Sequence, residues 1–165
     1  PTREMYANTS TEFARNYWHW FFLTLPSPFP EKMIGADPEM FWKQKCFYQS
    51  KEKVPFVSEA LTEYLNAFAN PEMIHASCED YRAAASIDIE HDNADLGKKL
   101  KMPILTLWAK HGVIETCFNG LNLWRLRAKK VEGEALEATH YMAEEIPEEV
   151  AARMSDFYSR HPIKK

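Results

Sequence analysis

The sequence predicts an α/β protein whose first part is helical and whose last part alternates strand and helix. Three observations carry that expectation. Before about residue 95, proline-marked joints separate amphipathic helical segments, and no stretch has a convincing strand pattern. Pro103-Ile104-Leu105-Thr106-Leu107-Trp108 is then a short apolar run of β type. From there the order strand, helix, strand, helix marks parallel α/β structure.

Each element has a local reason. Thr9-x-x-Glu12 reads as a capping box ahead of a helix running to about Leu23. Pro26, Pro28 and Pro30 end it and impose an extended connector. Asp37-Pro38 supplies a cap and a first-turn proline for a second helix through Phe41, Lys45 and Tyr48. Ser58 is expected to cap a third, with Leu61, Tyr64, Leu65 and Phe68 at helical spacing. Asn70-Pro71 repeats the cap-plus-proline signature before a fourth, whose Ile74, Cys78, Tyr81 and Ala85 share a face. After the apolar strand, Phe118 to Lys130 reads as one amphipathic helix with Leu121, Trp124 and Leu126 inward and Gly133 following. Glu134 to Thr139 is a weaker strand, and Pro147 opens a final helix carrying Val150, Met154 and Phe157. Two strands alone leave a sheet edge and helix faces bare, so the rest of the sheet is expected in a missing N-terminal half.

Composition narrows the function classes. A chain of 165 residues can bury a real core, and 45% hydrophobic with 27% charged residues is ordinary globular content. The net charge of −4 supplies no basic field for nucleic acid or an anionic membrane. No apolar run has the length of a membrane span, and no N-terminal stretch has the layout of a signal peptide. Cys46, Cys78 and Cys117 are odd in number, far apart and without CxxC. They read as reduced thiols of a cytoplasmic protein, not as a disulfide frame or zinc site. None of the five glycines falls in GxGxxG, a P-loop or GxSxG, and no repeat or low-complexity segment stands out. The chain opens on Pro1 with no initiator Met and no nucleophile elbow, so it is expected to be the second half of an enzyme.

The most informative stretch is Tyr17 to Leu23, Y-W-H-W-F-F-L. It sets the imidazole of His19 and the indole N–H groups of Trp18 and Trp20 into one apolar helical segment. A purely core-filling helix would take Leu, Ile or Ala there, because His and Trp carry polar atoms that need partners when buried. Further blocks follow in order: P-E-K-M-I-G-A-D-P at Pro30 to Pro38, S-C-E-D-Y-R-A-A at Ser77 to Ala84, D-I-E-H-D at Asp88 to Asp92, and H-Y-M-A-E-E-I-P at His140 to Pro147. Together these blocks make nearly the whole chain resemble the haloacetate (fluoroacetate) dehalogenases of the α/β-hydrolase superfamily.

That resemblance implies a helical cap domain over residues 1–95, then the last two strands and helices of an α/β-hydrolase core over 96–165. It implies hydrolytic dehalogenation of haloacetates, fluoroacetate among them, to glycolate and halide, without metal or organic cofactor. A catalytic Asp, absent from this chain, attacks the halogen-bearing carbon, and water activated by a His–Asp pair hydrolyses the ester. His140 matches the general base, whose ordinary pKa near neutrality suits the task. His19, Trp20 and Tyr81 match the halide-binding trio, three donors aimed where negative charge grows. Relatives usually carry Gly where Thr139 stands, and a further pocket Trp where Gln49 falls. Arg82 offers a carboxylate partner, although the family clamps haloacetate with arginines beside the nucleophile. His91, in the acidic run E-H-D-N-A-D, reads as part of a solvated loop, His75 and His111 as lacking arranged partners, and His161 as part of a frayed tail. The expected partners are a small haloacid substrate and the missing hydrolase half, with a homodimer left open and neither nucleic acid nor membrane. Alternatives are an epoxide hydrolase or other capped α/β hydrolase, or a non-catalytic fragment, since this chain alone lacks the nucleophile and is expected to be inactive.

Overall fold

The computed structural model describes residues 2–50 and 54–162. The chain forms two compact units, Thr2–Leu96 and Gly97–Lys165.

The first unit is built from α1 (Thr2–Ala7), α2 (Thr11–Asn16), α3 (Trp18–Phe22), α4 (Phe29–Ala36), α5 (Pro38–Gln49), α6 (Ser58–Phe68), α7 (Pro71–Ala84) and α8 (Ile87–Ala94). Side-chain caps start several of them. Asp37 Oδ1 accepts from Met40 N–H at 2.9 Å and Asn70 Oδ1 from Glu72 N–H at 2.9 Å, so α5 and α7 begin where their cap-plus-proline signatures place them. A cap of this kind stabilises its helix by about 1 kcal/mol.

Elsewhere the structure departs from the sequence reading. The cap of α2 is Ser10, whose hydroxyl accepts from Phe13 N–H at 3.0 Å, and not Thr9. The helix expected to reach Leu23 breaks at Tyr17, which leaves helical geometry at φ −114° and ψ 37°. Phe13 and His19 would face different directions on one continuous helix, and the break lets both be buried, at 0% and 2% exposure. The expected extended connector holds α4 instead, with Pro30 in the first turn where its missing N–H leaves no bond unmade. Ser58 lies inside α6 and donates to Glu59 Oε2 at 2.8 Å, leaving Val57 at the cap position. His91 sits on α8, exposed, and not in a loop.

The core of this unit is Leu23, Ile34, Phe41, Ile74 and Cys78, with Trp18, Phe22, Phe68 and Tyr81 packed against it. Phe41 is its centre, stacked on Phe68 at 6.1 Å and met edge-on by Trp18 at 5.6 Å. Each fully buried Leu, Ile or Phe contributes about 1.5–3 kcal/mol, so the residues joining α3, α4, α5 and α7 dominate this unit's stability.

The second unit runs β1 (Leu100–Ala109), α9 (Val113–Cys117), α10 (Gly120–Arg125), β2 (Ala128–Leu136), α11 (Met142–Glu145) and α12 (Pro147–Arg160). The two strands pair in parallel, with Thr106 opposite Gly133 and Trp108 opposite Ala135. The expected single helix from Phe118 to Lys130 is therefore wrong in its second half, and the strand begins six residues earlier than Glu134. The cause is tertiary. Leu100 N–H donates to Arg127 C=O at 2.8 Å and Lys99 Nζ to Arg125 C=O at 2.6 Å, which draws the chain into the sheet beside the start of β1.

Gly133 thus lies inside β2 and terminates nothing. Its φ is +150°, and a Cβ there would stand 1.7 Å from the Thr106 carbonyl oxygen. Gly133→Ala should destabilise the protein by at least about 3 kcal/mol, because backbone strain and a backbone clash add. Thermal unfolding measures this, and an unchanged Tm would mean the strands do not approach so closely.

Candidate functional site

Within the first unit, α3 and α7 bring the sequence-selected residues together. His19 is buried and meets the Tyr81 ring edge-on at 5.8 Å between centroids. Trp20 and Tyr81 are both half-buried, 6.4 Å apart, and line one cavity of about 250 Å³. Thr2, Tyr6, Asp80 and Ala84 complete its lining, and His19 touches Tyr81 without lining the cavity itself. The Trp20 indole N–H and the Tyr81 hydroxyl have no hydrogen-bond partner among the described residues. Burial pushes the Tyr81 phenol up to about 12, with Tyr6, Cys46 and Asp80 adding in the same direction. At neutral pH it therefore keeps its proton and remains a donor.

Tyr6 is the residue that sequence reasoning missed. It stands on α1, its ring 5.3 Å from that of Trp20, and its hydroxyl donates to the Trp20 carbonyl at 3.2 Å. Nothing in T-R-E-M-Y announces this, because the contact joins positions 14 residues apart through a turn of the chain.

Arg82 is not a free carboxylate clamp. Its Nε and Nη2 donate to the Leu25 carbonyl at 2.9 and 2.8 Å, and its Nη1 to Glu31 at 2.8 Å and Glu79 at 2.5 Å. His75 Nδ1 lies 3.1 Å from the same Glu31 oxygen, so this histidine does have an arranged partner. Glu31, His75 and Glu79 hold potential ligand atoms within 4.8 Å of one another. The Arg82 guanidinium already bridges both carboxylates, so one cation is shared between Glu31 and Glu79.

In the second unit, His140 is exposed in the turn between β2 and α11, its ring 5.0 Å from that of Tyr141. Thr139 beside it is buried and bound through both its N–H and its hydroxyl to Glu145. His111 pairs with Glu137, and His161 with Glu132 at 3.3 Å, so neither is the loose histidine the sequence suggests. Glu115 accepts from the Trp108 indole N–H at 2.5 Å. Cys46, Cys78 and Cys117 are not joined in disulfides; Cys78, fully buried, is pushed up to about 11 chiefly by desolvation, which keeps it an unreactive thiol at neutral pH. Gln49 closes α5.

No family model matches the chain. A fluoroacetate dehalogenase from Burkholderia sp is 35% identical over 160 residues, which cover 96% of this chain and 53% of that protein. Among solved structures, a Salmonella enterica protein provisionally described as an acyltransferase superposes with a TM-score of 0.93 at 42% identity, over 97% of this chain and 53% of its own. A Nostoc sp PCC 7120 protein provisionally described as an alpha/beta hydrolase gives 0.92 at 44%, over 95% and 54%. A Pseudomonas aeruginosa protein provisionally described as an epoxide hydrolase, solved as a mutant with bound MFA, gives 0.90 at 35%, over 98% and 55%. The chain is related to the α/β-hydrolase superfamily. It spans about half the length of the relatives it matches, and their names divide among dehalogenase, epoxide hydrolase and acyltransferase. The helical unit and the parallel strand pair are those of part of an α/β-hydrolase fold. Among the described residues, no helix is long and apolar enough to cross a membrane.

The Arg82 cluster makes a pH prediction. Glu31 is held down at about 2, first by its hydrogen bond from Arg82, against an ordinary value of 4.5. A carboxyl whose folded value lies below its unfolded value stabilises fully above about pH 4.5 and loses that contribution as pH falls toward about 2. Glu31→Gln should lower Tm at pH 7 and remove this segment of the acid dependence. A variant with the same Tm-against-pH curve as the wild type would mean that the pair contributes nothing.

Proposed function

We propose that this chain supplies the donor groups and the general base of a capped α/β hydrolase that works through an ester on an aspartate outside these 165 residues. The observation that carries this is the pair of protonated donors, the Trp20 indole N–H and the Tyr81 hydroxyl, lining one small cavity with no partner among the described residues. Ground-state packing gives no reason to place two unpaired donors together. A leaving atom that gains negative charge does, because preorganised donors stabilise charge where it develops.

The finer proposal is dehalogenation of haloacetates, fluoroacetate among them, to glycolate and halide. The nucleophilic carboxylate displaces halide, which leaves toward Trp20 and Tyr81, with His19 orienting Tyr81 by ring contact. His140 then takes a proton from water, and the resulting hydroxide cleaves the ester. The resemblance to a fluoroacetate dehalogenase supports this reading.

Epoxide opening is the second reading, and the cavity itself favours it. Its lining holds two phenols, Tyr6 and Tyr81, one carboxylate, Asp80, and no cationic side chain. The Tyr81 phenol and the Trp20 indole N–H suit a neutral epoxide oxygen, the Tyr6 proton being committed to the Trp20 carbonyl, and the Asp80 carboxylate disfavours an anionic substrate beside it. The likeness to the Pseudomonas protein points the same way.

Two experiments on the complete enzyme test these proposals. Initial rates with fluoroacetate, chloroacetate and a small neutral epoxide separate the substrates, and epoxide turnover without halide release selects the second reading. In Tyr81→Phe, defluorination should fall by about two to three orders of magnitude, more than dechlorination, because fluoride is the poorer leaving group. An unchanged ratio of kcat/KM for the two haloacetates would sink the halide role of Tyr81. Second, His140→Gln should stop turnover after the first step and accumulate an ester adduct visible by intact mass. Steady turnover of that variant at the wild-type rate would remove His140 from the mechanism.

A further inference from the structure

The turn that carries His140 is held at both sides of that residue. Before it, β2 is tied to the end of β1, with Lys110 N–H donating to the Leu136 carbonyl at 2.8 Å and His111 N–H to the Ala138 carbonyl at 3.1 Å. Thr139, 8% exposed, then gives both of its donors to one carboxylate. Its N–H reaches Glu145 Oε2 at 2.9 Å and its hydroxyl reaches Glu145 Oε1. After His140, the Tyr141 carbonyl accepts from Glu144 N–H at 2.8 Å and Glu145 N–H at 3.0 Å, and Ile146 N–H donates to the Met142 carbonyl at 2.9 Å. The segment from Thr139 to Glu145 is thus a closed ring in which His140 is exposed while Thr139 is buried and Tyr141 half-buried.

A glycine at 139 could offer the N–H alone. Threonine adds the second donor, and its branched Cβ narrows the backbone and χ1 choices of the residue next to the imidazole. A carboxylate accepting two charge-assisted hydrogen bonds from one residue fixes that residue's orientation as well as its distance.

We infer that Thr139 and Glu145 form a two-point clamp that positions His140; both are positioning residues, and their role rests on the proposal that His140 is the general base. Neither touches the reacting atoms. They set where the imidazole stands, and a general base must sit within hydrogen-bond reach of the water it activates. Ester hydrolysis is the step that should feel the clamp, while substrate binding should not.

The test uses the complete enzyme with Thr139→Val, nearly isosteric but without the hydroxyl donor, and Thr139→Ser, which keeps that donor. Thr139→Val should lower kcat about tenfold, the effect of one lost charge-assisted hydrogen bond, with kcat/KM within about twofold because hydrolysis follows ester formation. Thr139→Ser should restore kcat. Hydrogen exchange of the Glu144, Glu145 and Ile146 amides should accelerate in Thr139→Val and return toward wild type in Thr139→Ser. Glu145→Gln, which keeps an acceptor for the Thr139 N–H, should fall between wild type and Thr139→Val. Unchanged exchange and kcat in Thr139→Val would overturn the clamp. Equal losses of kcat and Tm in the Val and Ser variants would reduce Thr139 to packing and overturn it too. Faster exchange with unchanged kcat, in an enzyme that His140→Gln inactivates, would show a clamp that does not position the base. Full turnover by His140→Gln is a different failure, that of the base assignment, and leaves the exchange result standing.

Discussion

Arg82 makes hydrogen bonds to three separate points of the helical unit: the Leu25 carbonyl just past α3, Glu31 on α4, and Glu79 one turn earlier on its own helix. The Leu25 carbonyl lies in a proline-rich connector that cannot satisfy it with regular helical bonds. The guanidinium meets it twice and takes its countercharge from the carboxylates. Apolar packing presses α3, α4 and α7 together around Ile34, Leu23 and Ile74, but it has no direction along the helix axes. The Arg82 contacts supply that direction. They fix α3 against α7 in register, and so fix Trp20 and Tyr81 beside one cavity.

The same division of labour recurs around the strand pair. Burial of Ala109, Val113, Ala128, Leu136 and Phe157 provides the non-directional part. Direction comes from the parallel register and the close approach at Gly133, where no side chain can intrude on the Thr106 backbone. The end of β2 is thereby fixed relative to β1, and the turn carrying His140 starts from that fixed point.

A donor is useful to a reaction only if it keeps its proton and is not already spent on the protein. Tyr81 meets both conditions, its phenol pushed up to about 12 by burial and without a partner among the described residues. Tyr6 has spent its proton on the Trp20 carbonyl, so it offers lone pairs and a ring and no donor. Arg82 has likewise committed its guanidinium to the fold.

What the sequence determined by itself was local. Asp37-Pro38 and Asn70-Pro71 start their helices where they stand because a cap and a first-turn proline act within four residues. The α/β class, the parallel strand order and the apolar partners of Tyr81 on α7 were legible for the same reason, as periodicity is a property of neighbouring residues. Tertiary structure decided what local chemistry leaves degenerate. The segment from Ala128 to Lys130 has a pattern compatible with a helix, and it becomes strand because the Leu100 and Lys99 donors claim the Arg127 and Arg125 carbonyls. The break at Tyr17 follows from the need to bury both Phe13 and His19. The free donor on Tyr81, the spent donor on Tyr6, the committed guanidinium of Arg82 and the clamp on Thr139 are all contacts with residues not adjacent in the chain. A sequence states which donors and acceptors exist; only folding decides which of them meet.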